Sequence, residues 1–403
     1  MSTDLLKPLI LSNSSKIVLL VLDGVGDLPV AAHRGRTPLE AARTPHLDGV
    51  VPGAALGRLL PVAPGITPGS GPGHLALFGY DPVAVTVGRG VLEALGAGIE
   101  LQDGDVAARA NFCTVDERGV VVDRRAGRID SATCARLVGR IAAGVPRIED
   151  VDVLLQAGKG HRFVAVLRGP GLAGEVGDAD PHREGAPIPE ARPQAPPAAK
   201  TARIVNALVS RARELLREER PANAALMRGL SARPALPGHR ERFGLRAAAV
   251  AGYPMYRGVA QLAGMAVLPT GERPGDAFAT VAEHWEAFDF FFVHVKGTDM
   301  AGEDGDFDAK VAAIEEVDAA LPALLARRPD VLCVTGDHST PVAVRGHSWH
   351  PVPVLVLGAW AGADGADRFH ERHARAGSLG TLASKDLMAV LLANAGRLDK
   401  YGA

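Results

Sequence analysis

Acidic and imidazole side chains follow the apolar runs of this chain in an arrangement that suits metal chemistry. KIVLLVL (16–22) runs directly into Asp23, FFFVHVKGT (290–298) into Asp299, and VLCVTG (331–336) into Asp337 and His338. His347 precedes a fourth apolar run at 352–358. Ligands of open α/β sheets bind outside the carboxyl ends of the strands, so three strands of one sheet would aim these groups at a common crevice. Carboxylates and imidazoles without thiolates suit Mn, Zn or Mg, and the histidines disfavour an all-magnesium site. A single aspartate after a strand more often caps a turn or a helix. Four such positions with two histidines make metal binding the better reading.

A second candidate is PGITPGSGPGHLALFGYDP (64–82), where Ser70 stands among glycines and prolines before the apolar stretch His74 to Tyr80. Glycine-rich backbone can present a nucleophile at a helix start, where N–H groups receive an oxyanion or phosphate. Alone, Gly-Ser-Gly is more often a flexible turn with the serine as helix cap; beside a metal cluster, Ser70 becomes a candidate nucleophile. Third come the arginines of RANFCTVD (109–116), DRRAGR (123–128) and ANAALMRG (222–229). The planar guanidinium pairs bidentately with carboxylate and phosphate, so arginines facing a cleft suit a small substrate that carries both. A solvated charged face is an equally good reading of any one of them.

Buried strands must hold these groups in place. KIVLLVL (16–22), LRAAAVAG (245–252), FDFFFVHV (288–295), DVLCVTG (330–336) and VPVLVLG (352–358) lack polar alternation, which is the habit of parallel strands covered on both faces by helices. Between them, Val311, Ile314, Leu321, Leu324 and Leu325 recur at helical spacing over 308–328, with Pro322 expected to kink the helix. The middle of the chain differs: short alternating stretches at 111–122 and 151–167 precede seven prolines between Pro170 and Pro197, which read as an irregular excursion. A helix is expected over 202–218, with Ile204, Val205, Leu208, Val209 and Leu215 on one side. The expected architecture is α/β: a core of residues 1–95 and 240–403 with a mostly parallel sheet flanked by helices, interrupted by an inserted α+β domain at 96–239.

The 403 residues are 47% hydrophobic and 22% charged with a formal net charge of −2, so no bulk positive field is available for nucleic acid or an anionic membrane. No apolar run approaches the roughly 20 residues of a membrane-spanning helix. MSTDLLKPLILSNSSK lacks a basic leader followed by a sustained hydrophobic stretch, and three scattered cysteines fit reduced thiols, so a cytoplasmic protein is expected.

VLDGVGD (21–27), ITPGS (66–70), LALFGYDP (75–82), RANFCTVD (109–116), DRRAGRI (123–129), DPH (180–182), KTARIVN (200–206), HVKGTDMAG (294–302), TGDHSTP (335–341) and HSWHPVPVLVLG (347–358) together resemble the archaeal-type cofactor-independent phosphoglycerate mutases, members of the alkaline phosphatase superfamily. The resemblance covers nearly the whole chain in the right order. It implies an alkaline-phosphatase-like core with two divalent metal ions, no requirement for 2,3-bisphosphoglycerate, and an isomerase of glycolysis that interconverts 3- and 2-phosphoglycerate. It further implies that Ser70 is phosphorylated transiently. One metal would be held by Asp23, Ser70, Asp337 and His338, the other by Asp299, His347 and the position of Glu303. Lys296 with Arg109, Asn111, Arg124, Arg125, Arg128 and Arg228 would stabilise the phosphate and carboxylate of the substrate.

Three positions depart from the family pattern: Glu303 replaces a usual histidine, Gly71 an acidic residue, and His350 an aspartate. They keep two alternatives open. One is a diverged phosphoryl or phosphonyl transferase or hydrolase acting on a glycerate-like substrate, as in a phosphonate pathway; the other is a non-catalytic phosphoglycerate-binding relative. The oligomeric state is not expressed in the sequence.

Overall fold

The computed structural model describes residues 3–85 and 87–402, and the chain divides into two compact units: Met1–Thr86 with Leu236–Ala403, and Val87–Ala235. The first unit is the α/β fold expected from the sequence. Its eight strands lie in the order Ala266–Leu268, Ala247–Ala251, Phe290–Val295, Ile17–Leu22, Val331–Thr335, Val352–Gly358, Ala54–Leu60 and Gly380–Ala383. All neighbours pair in parallel except Val352–Gly358, which runs antiparallel to both of its partners. Every residue of Ile17–Leu22, Phe290–Val295 and Val331–Thr335 is buried, because helices cover both faces and leave no solvated side to require alternation.

Alternation nonetheless sorts side chains between the two faces. Phe291 stacks on Trp285 on one face, while Phe290 and Phe292 lie on the other against His239 and Phe78. His294 follows Phe290 and Phe292 at the same period of two, so it emerges on the face that carries Phe78 and its helix Ser70–Leu77. The helix expected at 308–328 spans Phe307–Leu325 and passes through Pro322, with Ile314, Val317, Leu321 and Leu324 buried against the sheet.

The second unit is α+β. Val121–Asp123, Val106–Val115, Arg162–Arg168, Val151–Ala157 and Arg147–Ile148 form an antiparallel sheet in that order, and Ala224–Ala232 pairs with Val106–Val115 as well. Helices Ser131–Gly144 and Ala199–Leu215 bury their apolar sides in the core with Ala108, Ala110, Phe112 and Phe163. The intervening residues Arg109 and Asn111 therefore point to the opposite face, where they are buried and polar. The proline-rich stretch from Pro170 to Pro197 has no strand or α-helix and is tied down by isolated bridges such as Val176–Pro193 and Ala179–Met227.

His239 backs the helix that carries Ser70. It is fully buried among Phe78, Phe243 and Phe290 and donates from Nδ1 to the Ala263 carbonyl at 3.2 Å, while its Nε2 has no partner. Burial pushes its pKa down to about 4. The unfolded chain, with an ordinary value near 6.5, thus takes up a proton that the folded chain refuses. Stability is lost as pH falls from about 6.5 to about 4, by roughly 3 kcal/mol in total from this group. His239→Leu is expected to flatten the dependence of the urea midpoint on pH across that window; an unchanged acid slope in the variant would show that His239 is not buried neutral.

Candidate active site

The register of the central strands assembles the site. Leu22 lies opposite Val295 and Val21 opposite Thr335, so the next residues, Asp23, Lys296 and the Gly336–Asp337 step, emerge side by side at one end of the sheet. Asp299 follows in the first turn of helix Gly297–Asp304. Because Val352–Gly358 runs in reverse, the segment before it, with His347, reaches the same end as the carboxyl termini of the parallel strands. Asp23, Asp337 and His338 place ligand atoms within 4.8 Å of one another, and so do Asp299, His338 and His347.

Hydrogen bonds around the two imidazoles fix which nitrogen faces the carboxylates. Thr340 Oγ1 donates to Asp299 at 2.6 Å and so accepts from His338 Nδ1 at 3.0 Å. His338 Nε2 is then left with its lone pair, 3.1 Å from Asp337 Oδ2, 3.4 Å from Asp23 Oδ1 and 3.3 Å from Ser70 Oγ. His347 likewise donates from Nδ1 to the Pro68 carbonyl at 3.0 Å and turns Nε2 toward Asp299, 3.7 Å away. The rings of His338 and His347 stack at 3.6 Å. Asp23 Oδ1 and Asp337 Oδ2 are buried without a hydrogen-bond partner among the described residues. Lone pairs facing lone pairs in a buried place are costly unless a cation lies between them, and the oxygen and nitrogen donor set fits a divalent metal ion.

Ser70 is the first residue of helix Ser70–Leu77. Gly69 occupies the cap position, and the serine makes no cap bond and faces His338 instead. The helix can approach because residue 73 is glycine: a Cβ there would stand 2.6 Å from the Asp337 carbonyl oxygen. Gly24 is the corresponding device after the first strand, with φ +61° and a Cβ position 2.7 Å from Asp299 Oδ1. One turn beyond Ser70, fully buried His74 donates from Nδ1 to the Ser70 carbonyl at 2.9 Å and lies 3.1 Å from Asp337 Oδ2. Burial alone would lower the pKa of His74, but the Asp337 and Asp23 carboxylates and the Ser70 carbonyl together raise it.

The fixed cation of the site is Lys296, whose ammonium donates to Asp23 at 2.9 Å and Asp299 at 2.6 Å. Burial works against its charge and these two carboxylates more than restore it, so its pKa is raised. Burial would raise the Asp23 carboxyl, yet the hydrogen bond from His294 at 3.1 Å and the nearby Lys296 hold it well below the usual range. His294 is itself kept toward neutrality by burial, so it serves Asp23 as an N–H donor and Lys296 supplies the charge.

Behind these loops, Lys310 of helix Phe307–Leu325 is wholly buried. Its ammonium pairs with Asp27 at 2.8 Å and donates to the Gly24 and Thr340 carbonyls at 2.9 Å each. One side chain thus ties the loop after Asp23 to the loop after His338.

The remaining expected residues fall into three places. Glu303 is 55% exposed, 3.9 Å from His347 Nε2 and outside both ligand groups, so the structure does not gather it with Asp299. His350 bonds Ser348 Oγ at 3.0 Å and also stands apart from those groups. In the second unit, Arg109, Asn111, Arg124, Arg125 and Arg228 line a cavity of about 160 Å³ with His161 and Arg162, while Arg128 lines an adjoining, larger opening with Arg124, Arg125 and Arg183. Asp180 pairs with Arg124 at 2.7 Å and Glu93 with Arg109 at 2.9 Å. Buried Nε atoms of Arg109, Arg124 and Arg228 have no partner among the described residues, a donor surplus that suits an anion. Burial lowers the Arg109 pKa to about 10, which leaves it charged.

His74, Tyr256, His294, Thr340 and Lys310 were not expected at the site. His74 and His294 sit within apolar stretches that read as core, and only their periodicity, four residues after Ser70 and two before Lys296, could have pointed to it.

This geometry, carboxylates and imidazoles gathered beside a serine at the end of a mostly parallel sheet, defines an α/β protein with a site that could hold divalent ions. Residues 53–223 match the family model of the 2,3-bisphosphoglycerate-independent phosphoglycerate mutases. Proteins named as probable 2,3-bisphosphoglycerate-independent phosphoglycerate mutases are 51% identical in Thermotoga neapolitana, over 98% of each chain, and 52% identical in Thermus thermophilus, over 99% of this chain and 98% of the relative. The solved cofactor-independent phosphoglycerate mutase of Thermoplasma acidophilum superposes with a TM-score of 0.77 at 32% identity, covering 94% of this chain and all of that one. The PH0037 protein of Pyrococcus horikoshii superposes with a TM-score of 0.80 at 31% identity, over 97% of this chain. The chain belongs to the 2,3-bisphosphoglycerate-independent phosphoglycerate mutase family and is an enzyme of that isomerase type.

Lys310→Met is expected to destabilise the protein by about 3–5 kcal/mol in urea unfolding, because Asp27 is left as an uncompensated buried charge. Adding Asp27→Leu should recover part of the loss. A single variant within about 0.5 kcal/mol of the parent would show that the pair does not hold these loops.

Proposed function

We propose that this enzyme interconverts 3- and 2-phosphoglycerate through a phosphoserine at Ser70, with divalent metal ions and without 2,3-bisphosphoglycerate. The observation that carries the reading is the Ser70 hydroxyl, 3.3 Å from His338 Nε2, beside the carboxylate oxygens Asp23 Oδ1 and Asp337 Oδ2 that have no partner among the described residues. On this reading one ion is held by Asp23, Ser70, Asp337 and His338, and a second by Asp299 and His347, with Glu303 able to reach it by rotating inward. Such ions, when bound, neutralise the oxygens of a transferring phosphoryl group and lower the proton affinity of a nearby hydroxyl.

The chain's own residues then have definite tasks. Ser70 Oγ gives up its proton and bonds to phosphorus as the bond to the 3-oxygen of the substrate breaks, and that oxygen takes a proton. The glycerate 2-hydroxyl then loses its proton and bonds to the same phosphorus as the Ser70 Oγ–phosphorus bond breaks, and Ser70 Oγ takes a proton back. Backbone N–H groups at the start of Ser70–Leu77 face the transferred oxygens, and Lys296 contributes fixed positive charge. The arginine cavity of the second unit, with Asn111, is assigned to recognition of the substrate's anionic groups. His161 and Arg162, which line it too, join that assignment. The three buried, unpaired thiols fit a reducing compartment such as the cytoplasm.

The exposed position of Glu303 favours a second reading, in which a looser second ion admits water or another acceptor and the enzyme is a diverged transferase or hydrolase. Products separate the two. Metal-loaded protein incubated with 3-phosphoglycerate alone, followed by phosphorus NMR with Mn, Zn and Mg in turn, should show 2-phosphoglycerate; free phosphate in its place would establish the hydrolase.

Ser70→Ala should lower turnover by about 10³-fold or more and leave no phosphoprotein by mass spectrometry; phosphorylation at another residue would reassign the nucleophile. Glu303→His should raise the metal content retained after dialysis from fewer toward two ions per chain, read by elemental analysis. A fall in retained metal would show that the glutamate is itself the better ligand.

A further inference from the structure

All three N–H groups of Lys296 are taken: by Asp23 Oδ2, by Asp299 Oδ2 and, at 2.8 Å, by the phenol oxygen of Tyr256. Two of these partners are carboxylates, and the third is neutral. Tyr256 lies fully buried on helix Pro254–Leu262, with its ring stacked on His294 at 3.8 Å and tilted against His74 at 4.6 Å. Those two imidazoles in turn touch Asp23 and Asp337. The phenol is therefore clamped on both sides by groups that belong to the site. It accepts from Lys296 and keeps its own proton, because burial and the carboxylates of Asp23 and Asp337 push its pKa up, and its oxygen faces Asp23 and Ser70.

We propose that Tyr256 is a positioning residue for phosphoryl transfer at Ser70, holding the Lys296 ammonium at the junction of Asp23 and Asp299 and yielding one of its N–H groups to the arriving phosphoryl oxygen. An ammonium bonded to a carboxylate gains charge attraction that a bond to a neutral phenol lacks, so the bond to Tyr256 is the one exchanged. The phenol oxygen, relieved of the lysine N–H, then has a lone pair free to accept from the Ser70 hydroxyl it already faces. The proposal rests on the phosphoserine reading above.

Tyr256→Phe keeps the ring between the imidazoles and removes only the oxygen. With metal-loaded full-length protein and 3-phosphoglycerate, rapid-quench mass spectrometry should show phosphoserine forming about 10- to 100-fold more slowly, with KM changed less than about threefold and metal content unchanged. In a Lys296→Arg background, whose guanidinium cannot occupy the same junction, Tyr256→Phe should cost less than about twofold. Formation of phosphoserine at the parent rate, loss of metal, or an equal cost in both backgrounds would each overturn the role assigned to Tyr256. A parent enzyme that turns over without phosphoserine would overturn the underlying reading and this inference with it, and is distinguished by the parent trace alone.

Discussion

Like charges crowded into a buried place are the constraint on which this structure depends. Asp23, Asp299 and Asp337 emerge from three adjacent strands because parallel register leaves them no other place, and all three are buried. Carboxylates cannot remain ionised there without compensation. The surroundings supply it in layers: Lys296 bonds two of them directly, His294 donates to Asp23, and Thr340 donates to Asp299. What is left over, among the described residues, is a pair of buried carboxylate oxygens without a partner, Asp23 Oδ1 and Asp337 Oδ2, beside the Nε2 atoms of His338 and His347 turned toward carboxylates. The fit of the site to a divalent ion is that remainder.

The same constraint explains why the loops around the site are made as they are. Bringing the serine helix and the aspartate loops within ligand distance requires backbone to meet side chain directly, hence Gly73 against the Asp337 carbonyl and Gly24 against Asp299. Loops this bare of side chains have little packing of their own. Lys310 takes over that task from behind, with one buried ammonium bonding carbonyls of both loops and the carboxylate of Asp27. A lysine suits the position because it offers three donors on a stem long enough to reach across from the neighbouring helix.

Most of this was legible in the chain. Ile17–Leu22, Phe290–Val295, Val331–Thr335 and Val352–Gly358 announce themselves as continuous apolar runs, and the groups at their ends follow from sheet geometry. Ala54–Leu60 and Ala224–Ala232 were not expected as strands, since their alanines, glycines and leucines carry no β-branched signal and their strand character comes from pairing alone. His74, His294 and Tyr256 escaped for a different reason. A histidine or tyrosine in an apolar stretch looks like core, and each of these is core and site at once, with a ring packed against aromatic neighbours and a polar edge on a carboxylate or ammonium. Lys310 reads as solvated helix surface until the partner Asp27, 283 residues away in the chain, is seen beneath it. Glu303 is a different case: motif position alone groups it with Asp299, and in the structure its half-exposed side chain near the end of an eight-residue helix stands 3.9 Å from His347 Nε2.

The two units divide the chemistry by different uses of strand alternation. In the first, strands buried on both faces leave only their ends for polar groups, so the site is compact, anionic and held by backbone contacts that tolerate little change. In the second, one sheet face is apolar under two helices, and the other carries Arg109, Asn111 and Arg228 in neighbouring strands beside a small apolar cluster of Cys113, Val115, Val121 and Leu226. A side chain there can be exchanged without moving a ligand distance or a close backbone approach. The first unit accordingly gathers two groups of candidate ligand residues whose atoms lie within 4.8 Å of one another in each group. The second offers, among the described residues, unpartnered Nε donors of Arg109, Arg124 and Arg228, an arrangement that suits anions.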